Sequence, residues 1–227
     1  MNVKYSFKLD DGKTLEYDIN VDRAKQQNLA TEKDSVPEWV SLNYCKCSNC
    51  PLKENDSPLC PAAYDIQAVV EDFRSQLAHK KAQVDVVTPE RSYSKRTSIE
   101  EGLRSLMGLI LATSQCPILG QLKPMAMHHM PFSSNNEFIL RTVSGYLLKQ
   151  YFEYTEGNSP DWDLNGLVKY NQELQLVNQA LWQRIHSACD NDSNLKALLS
   201  FFTMSSSVSF SLKTQLQKLK LVLDSET

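Results

Sequence analysis

The sequence predicts an α+β fold: a small antiparallel sheet, made of an N-terminal hairpin and short strands, packed on a mainly helical C-terminal bundle. Three observations predict it. Between Val3 and Val21, apolar residues alternate with polar ones, the period of half-buried strands. After Pro61 the apolar spacing changes to three and four, the period of amphipathic helices. Between these regions, the polar stretch from Tyr44 to Pro61 holds four of the six cysteines.

Val3, Tyr5, Phe7 and Leu9 form one face of a first strand, and Leu15, Tyr17, Ile19 and Val21 one face of a second. Asp10-Asp11-Gly12-Lys13 lies between them, and Asp-Gly is a strong hairpin signal because glycine accepts positive φ. Residues 23–37 are polar and aperiodic. Trp39, Val40 and Leu42 suggest a short strand leading into the cysteine loop. Ala62, Ile66, Val69, Val70, Phe73 and Leu77 then predict a helix of about four turns. Val84, Val86 and Val87 suggest a strand broken at Thr88-Pro89, and a second short strand fits near Tyr93.

Ser98-Ile99-Glu100-Glu101 matches a capping box. It opens a helix through Ile99, Leu103, Leu106, Met107 and Ile110 that is apolar nearly all round and therefore central, with Gly102 and Gly108 as small positions. The helix ends before Gln115-Cys116-Pro117. Residues 117–133 read as irregular, rich in Pro and Met, and contain His128-His129. Ser134-Asn135-Asn136-Glu137 is a second capping box, opening a helix with Ile139, Val143, Tyr146, Leu147 and Tyr151. After the loop from Glu156 to Pro160, Asp163 is expected to cap a long helix through Leu167, Leu174, Val177, Leu181 and Ile185. Cys189 to Ser193 breaks it, and Leu195–Phe202 and Leu212–Leu223 predict two further helical segments. A β-rich part over 1–97 and a helical part over 98–227 are read as one integrated domain.

Composition narrows the function. The chain has 227 residues, a net charge of −3 and a pI of about 5.8. Nucleic-acid binders usually carry a basic excess, so nucleic acid is disfavoured as a partner. No apolar run reaches the roughly 18 residues that span a bilayer. The N-terminus enters strand pattern directly, without the apolar core of a signal peptide. The expectation is a cytoplasmic protein, where clustered cysteines serve metals or catalysis more often than disulfides. P-loop, G-x-G-x-x-G, G-x-S-x-G and H-E-x-x-H motifs are all missing. The residues neither demand an enzyme nor exclude one.

Cys47-x-x-Cys50 has the spacing that lets two thiolates face one metal. Cys60 follows nine residues after Cys50, and Cys116 lies at the end of the central helix, where an irregular loop can return it. Together they offer the four sulfurs of a closed tetrahedral zinc site. His129 (or its neighbour His128) and Cys45 are alternates. Cys50, Cys60 and Cys116 each precede proline, a pairing that recurs in iron–sulfur proteins, which makes a cluster the second choice. Unligated buried thiols are the plain alternative, and a redox Cys-x-x-Cys a minor one. Arg91, Lys95 and Arg96 precede the Ser98-capped helix and make an anion site conceivable, against a solvated hairpin end as the plainer reading.

Cys47-x-x-Cys50-Pro51-Leu52, Cys60-Pro61-x-Ala63, Ser114-x-Cys116-Pro117 and Pro124-Met125-Ala126-x-x-His129-x-Pro131-Phe132 resemble the pattern of a bacterial cytosolic family of unknown function. The resemblance runs from the N-terminal hairpin to the helix near Asn178. It picks out Cys47, Cys50, Cys60, Cys116 and His129, leaves Cys45, His128 and Cys189 unmatched, and implies no activity. The resulting expectation is a metal-binding protein of binding or regulatory role, acting through a protein partner or a second copy of itself, with no membrane. An iron–sulfur or open-site metal enzyme using the same cysteines is the rival.

Overall fold

The structure, a computed structural model, describes residues 1–23, 36–55 and 57–188, and beyond them 212, 214–218, 220–221 and 224. It is an α+β fold built on a four-stranded antiparallel sheet. The strands are β1 (Asn2–Leu9), β2 (Thr14–Asn20), β3 (Lys81–Val87) and β4 (Ser92–Ser98), in the order β2-β1-β3-β4. β1 pairs on both edges, with Tyr5 opposite Tyr17 on one side and Val86 on the other. Gly12 at φ 87° makes the β1–β2 turn. The region near Tyr93 forms a full strand, although its sequence is mostly polar. Most of β4 faces solvent, and Thr97 is its one buried residue.

Helices cover the inner face. α1 (Pro61–Asp72) starts with Pro61 at its first turn, where a missing N–H costs nothing. It runs three turns rather than the four its stripe suggests. The chain leaves helical geometry at Phe73, and Leu77 ends up 47% exposed. α2 (Ile99–Ala112) is the central helix, with nine buried residues and the Ser98 hydroxyl accepting the Glu101 N–H at its start. Only that half of the box forms, because the Glu101 carboxylate goes to Lys95 and Thr97. α2 approaches the sheet closely at Gly102, where a Cβ would lie 2.6 Å from the Phe7 ring and 3.0 Å from Val84. Phe7 in turn packs edge-on to Phe73 at 5.1 Å between ring centres.

α3 (Lys123–Met127) follows a short 3-10 turn over Leu119–Leu122, and α4 (Asn135–Thr155) opens with both halves of the Ser134–Glu137 box. α5 (Asn165–Ala188) is the longest helix among the described residues. The carboxylate that accepts its first amides is Asp161, at 2.7 Å from the Gly166 N–H, and not Asp163; Leu164 at φ 62° turns the chain between them. One continuous core joins the sheet, α1, α2 and α5. A second, smaller cluster joins α4 and the start of α5 to Leu212. The break at Cys189–Ser193 and the segment Leu195–Phe202 lie outside the described residues, as does part of Leu212–Leu223. A partly buried ion pair absent from the sequence reading holds the end of β2 to the helices. Arg23 meets Asp65 at 2.8 Å and donates to the Ile110 carbonyl at 2.6 Å.

Candidate functional site

The cysteine loop is closed at its base by backbone. Leu42 donates to the Pro58 carbonyl at 2.8 Å, Cys60 to the Val40 carbonyl at 2.9 Å, and Ser41 bridges Leu59. The approach is a 3-10 turn over Glu38–Val40, not the expected strand. Pro37 fixes the entry and leaves too few extended residues to pair. Inside the loop the Cys50 N–H donates to the Cys47 carbonyl at 3.1 Å. This tight turn brings the two thiols within electrostatic reach of each other.

The other two thiols arrive on helix-forming stretches. Cys60 is the residue before α1; its side chain makes no cap hydrogen bond, but the N–H groups of Ala62 and Ala63 favour its thiolate. Cys116 follows α2, and the N–H groups of Ile118 and Leu119 favour its thiolate in the same way. Free amides at a helix start favour negative charge on the atom they face. α5 binds two of the three stretches. Tyr170 donates to the Ile118 carbonyl at 2.9 Å, and Asn49 donates to the Glu173 carbonyl at 3.1 Å and to its carboxylate.

Each of the four thiols is coupled electrostatically to the other three. Burial, and then the Cys60, Cys116 and Cys50 thiols, push Cys47 up to about 12. Burial pushes Cys116 up to about 11 against its two amides, and raises Cys60 as well. At neutral pH these three are therefore protonated, and any one that ionises makes the next harder to ionise. Arg184 opposes this at Cys47 and Cys60. Its side chain is 1% exposed and donates to the carbonyls of Trp39, Ser41 and Leu42 at 2.7, 2.7 and 2.9 Å, all neutral acceptors, while its Nε has no partner among the described residues. Chemically the cluster is a soft-donor nest beside a buried cation that favours its anionic form.

The alternates lie elsewhere. Cys45, half-buried, sits in a turn at φ 46°. His128 is exposed, and its carbonyl accepts from Arg141. His129 packs on Tyr5, whose hydroxyl lies 2.5 Å from its Nε2; burial holds its imidazole down to about 3. Arg91, Lys95 and Arg96 do not converge. Arg91 is in the β3–β4 turn, Lys95 meets Glu101 at 2.8 Å, and Arg96 meets Asp10 at 2.8 Å. Lys95 and Arg96 are neighbours on a strand, so they point to opposite faces. The sequence reading overlooked Arg184. It follows Val177 and Leu181 by seven and three residues, so it sits on the apolar stripe of α5, and a charge at that spacing was the available signal.

Among the described residues, no three His, Cys, Asp or Glu side chains stand in a geometry that could hold a metal ion. The four thiols are electrostatic neighbours and not a closed tetrahedron. Among the described residues no helix is long and apolar enough to cross a membrane. A family model described as a domain of unknown function, DUF6901, matches residues 3–224. No curated protein and no solved structure matches the chain.

Proposed function

The chain belongs to that family of unknown function, and we propose that it is a metal-binding protein in which Cys47, Cys50, Cys60 and Cys116 hold one structural zinc ion. One observation supports the reading: four thiols from three separate stretches are electrostatic neighbours beside a buried arginine whose described acceptors are neutral carbonyls. Four thiolates on a divalent ion make a net dianion. Arg184 and the amides at Cys60 and Cys116 offset that charge, and an arginine in the core otherwise bears a large desolvation cost. Metal binding exchanges thiol protons for metal–sulfur bonds, and on this reading it turns the side chains from their protonated placement into the tetrahedron. A reducing bacterial cytosol, which keeps thiols free, is the setting that suits it.

The ion would fasten the cysteine loop and the segment after α2 to each other under α5. That is a scaffolding role, and it suits a binding or regulatory protein. Tyr151, Phe152, Tyr154 and Trp162 are each more than half exposed at the far end of α4 and just beyond it, a composition found where a protein partner docks. The rival reading, an iron–sulfur cluster on the same sulfurs, draws on the backbone amides that favour the Cys60 and Cys116 thiolates, a setting that also suits clusters.

Elemental analysis of native, untagged protein, kept reduced and free of chelator, tests both. One zinc per chain, lost in Cys50→Ser together with a markedly lower Tm, is the expected result. Iron with sulfide selects the rival. Metal-free protein, or unchanged metal content in Cys50→Ser, overturns the assignment.

A further inference from the structure

A second feature, separate from the thiols, is a cavity of about 80 Å³ between α2, α3 and α4. That is room for on the order of six waters, or for one small organic molecule of similar bulk. Its walls are mostly apolar, Met125 and Phe138 among them, and among the described residues no aspartate or glutamate lines it. The polar side chains that line it are Arg104, Arg141, His129, Ser105 and Ser133; the Ser133 hydroxyl is spent on the Met130 carbonyl at 2.7 Å, so the arginines and His129 are its donors.

These donors are held by the fold. Arg141 uses Nη2 for the carbonyls of Met125 and His128, at 2.9 and 2.6 Å. A guanidinium has five N–H donors in a fixed fork, so this anchors the group and leaves donors over. The acids near the two arginines do not line the cavity and have further partners. Glu137 is tied to the N–H and hydroxyl of Ser134 at 2.8 Å each. Glu101 lies 3.8 Å from Arg104 and binds Lys95 and Thr97. On the far wall the Phe132 N–H donates to the Ser105 hydroxyl at 2.8 Å, Ser105 bonds Tyr5, and the Tyr5 hydroxyl meets His129 Nε2. With Tyr5 donating to Nε2, the neutral imidazole carries its proton on Nδ1 and is a donor as well.

We propose that this cavity binds a small organic monocarboxylate, with its apolar body against Met125 and Phe138 and its carboxylate on Arg141 and Arg104. The apolar walls select an organic acid over inorganic phosphate, and the donor set selects an anion over a neutral molecule of the same shape. The site is independent of any metal at the thiols.

The test is isothermal titration of the full chain with benzoate, 3-methylbutanoate and hexanoate, each against its neutral amide and against inorganic phosphate. At least one acid is expected to bind saturably, one per chain, with its amide about tenfold weaker or worse. Arg141→Gln, which keeps a donor for the two carbonyls, and Arg104→Gln should each weaken that acid about tenfold. Circular dichroism confirms that each variant is folded, and Arg104→Gln alone decides the matter if Arg141→Gln is not. The proposal falls if none of the three acids binds at millimolar concentration. It also falls if amide or phosphate binds as well as the acid, or if the folded variants bind like the parent.

Discussion

Arg184→Met tests the electrostatic argument at its centre. Methionine keeps most of the apolar stem and removes the charge and every donor. Three hydrogen bonds are lost, from a charged donor to the carbonyls of Trp39, Ser41 and Leu42. Each such bond contributes about 1.5–3 kcal/mol, but removing a buried cation returns part of its desolvation cost. The net expectation is a loss of about 3–5 kcal/mol, or a Tm lower by roughly 6–20 °C for a chain of this size. The second half of the prediction concerns metal. If the thiols are ionised on zinc, Arg184 gains a dianionic neighbour, and a unit charge pair 4 Å apart is worth about 4 kcal/mol as an upper figure at the effective dielectric of such sites. The variant should therefore cost about 1–3 kcal/mol more in zinc-loaded than in chelator-treated protein. Urea denaturation of both proteins in both states gives the four midpoints needed. Equal costs with and without zinc would refute the claim that Arg184 serves the sulfurs, and a loss under about 1 kcal/mol in both states would refute its role in holding residues 39–42.

Cys45→Ser is expected to leave zinc content and Tm unchanged, and a loss of metal would move that residue into the ligand set. Gly102→Ala pushes a Cβ to 2.6 Å from Phe7 and 3.0 Å from Val84, and should cost about 1–3 kcal/mol in urea denaturation. His129 has a folded value near 3 against an ordinary 6.5, because burial disfavours its charged form. The unfolded chain therefore takes up that proton first. The stability is present above about pH 6.5 and is lost as pH falls from there toward 3. His129→Gln should flatten that part of the urea midpoint against pH, and an unchanged slope would remove His129 from the buried set.

Much of the fold was legible because one rule governed each segment. Alternation placed Val3, Tyr5, Phe7 and Leu9 on one face, and Ser98 and Ser134 marked helix starts where the structure has them. The misses came where two rules competed. Leu77 continues the stripe of α1, but the chain turns at Phe73, so periodicity outlasts the helix. Asp161 and Asp163 both precede α5, and Leu164 in the left-handed region selects the earlier one. β4 is polar because it is an edge strand with little to bury, and its existence depends on β3 offering backbone partners. In the candidate site, the local Cys47–Cys50 turn and Cys60 can be read from spacing. The nearness of Cys116 to them depends on tertiary packing, as does the identity of Arg184, which looks like an ordinary surface cation until its helix is docked.

The docking of α5 also has a temporal consequence. Arg184 joins Trp39 across 145 positions, and Asn49 joins Glu173 across 124. A chain emerging from the ribosome can complete its first hairpin and its early helices long before these partners exist. Until α5 is synthesised, the loop carrying Cys47 and Cys50 has neither its anchor at the tip nor its buried cation at the base. Loop closure over such distances comes late and slows folding. The thiols thus pass through synthesis more accessible than they are in the finished protein, so a growing chain is most vulnerable to oxidants before α5 is made.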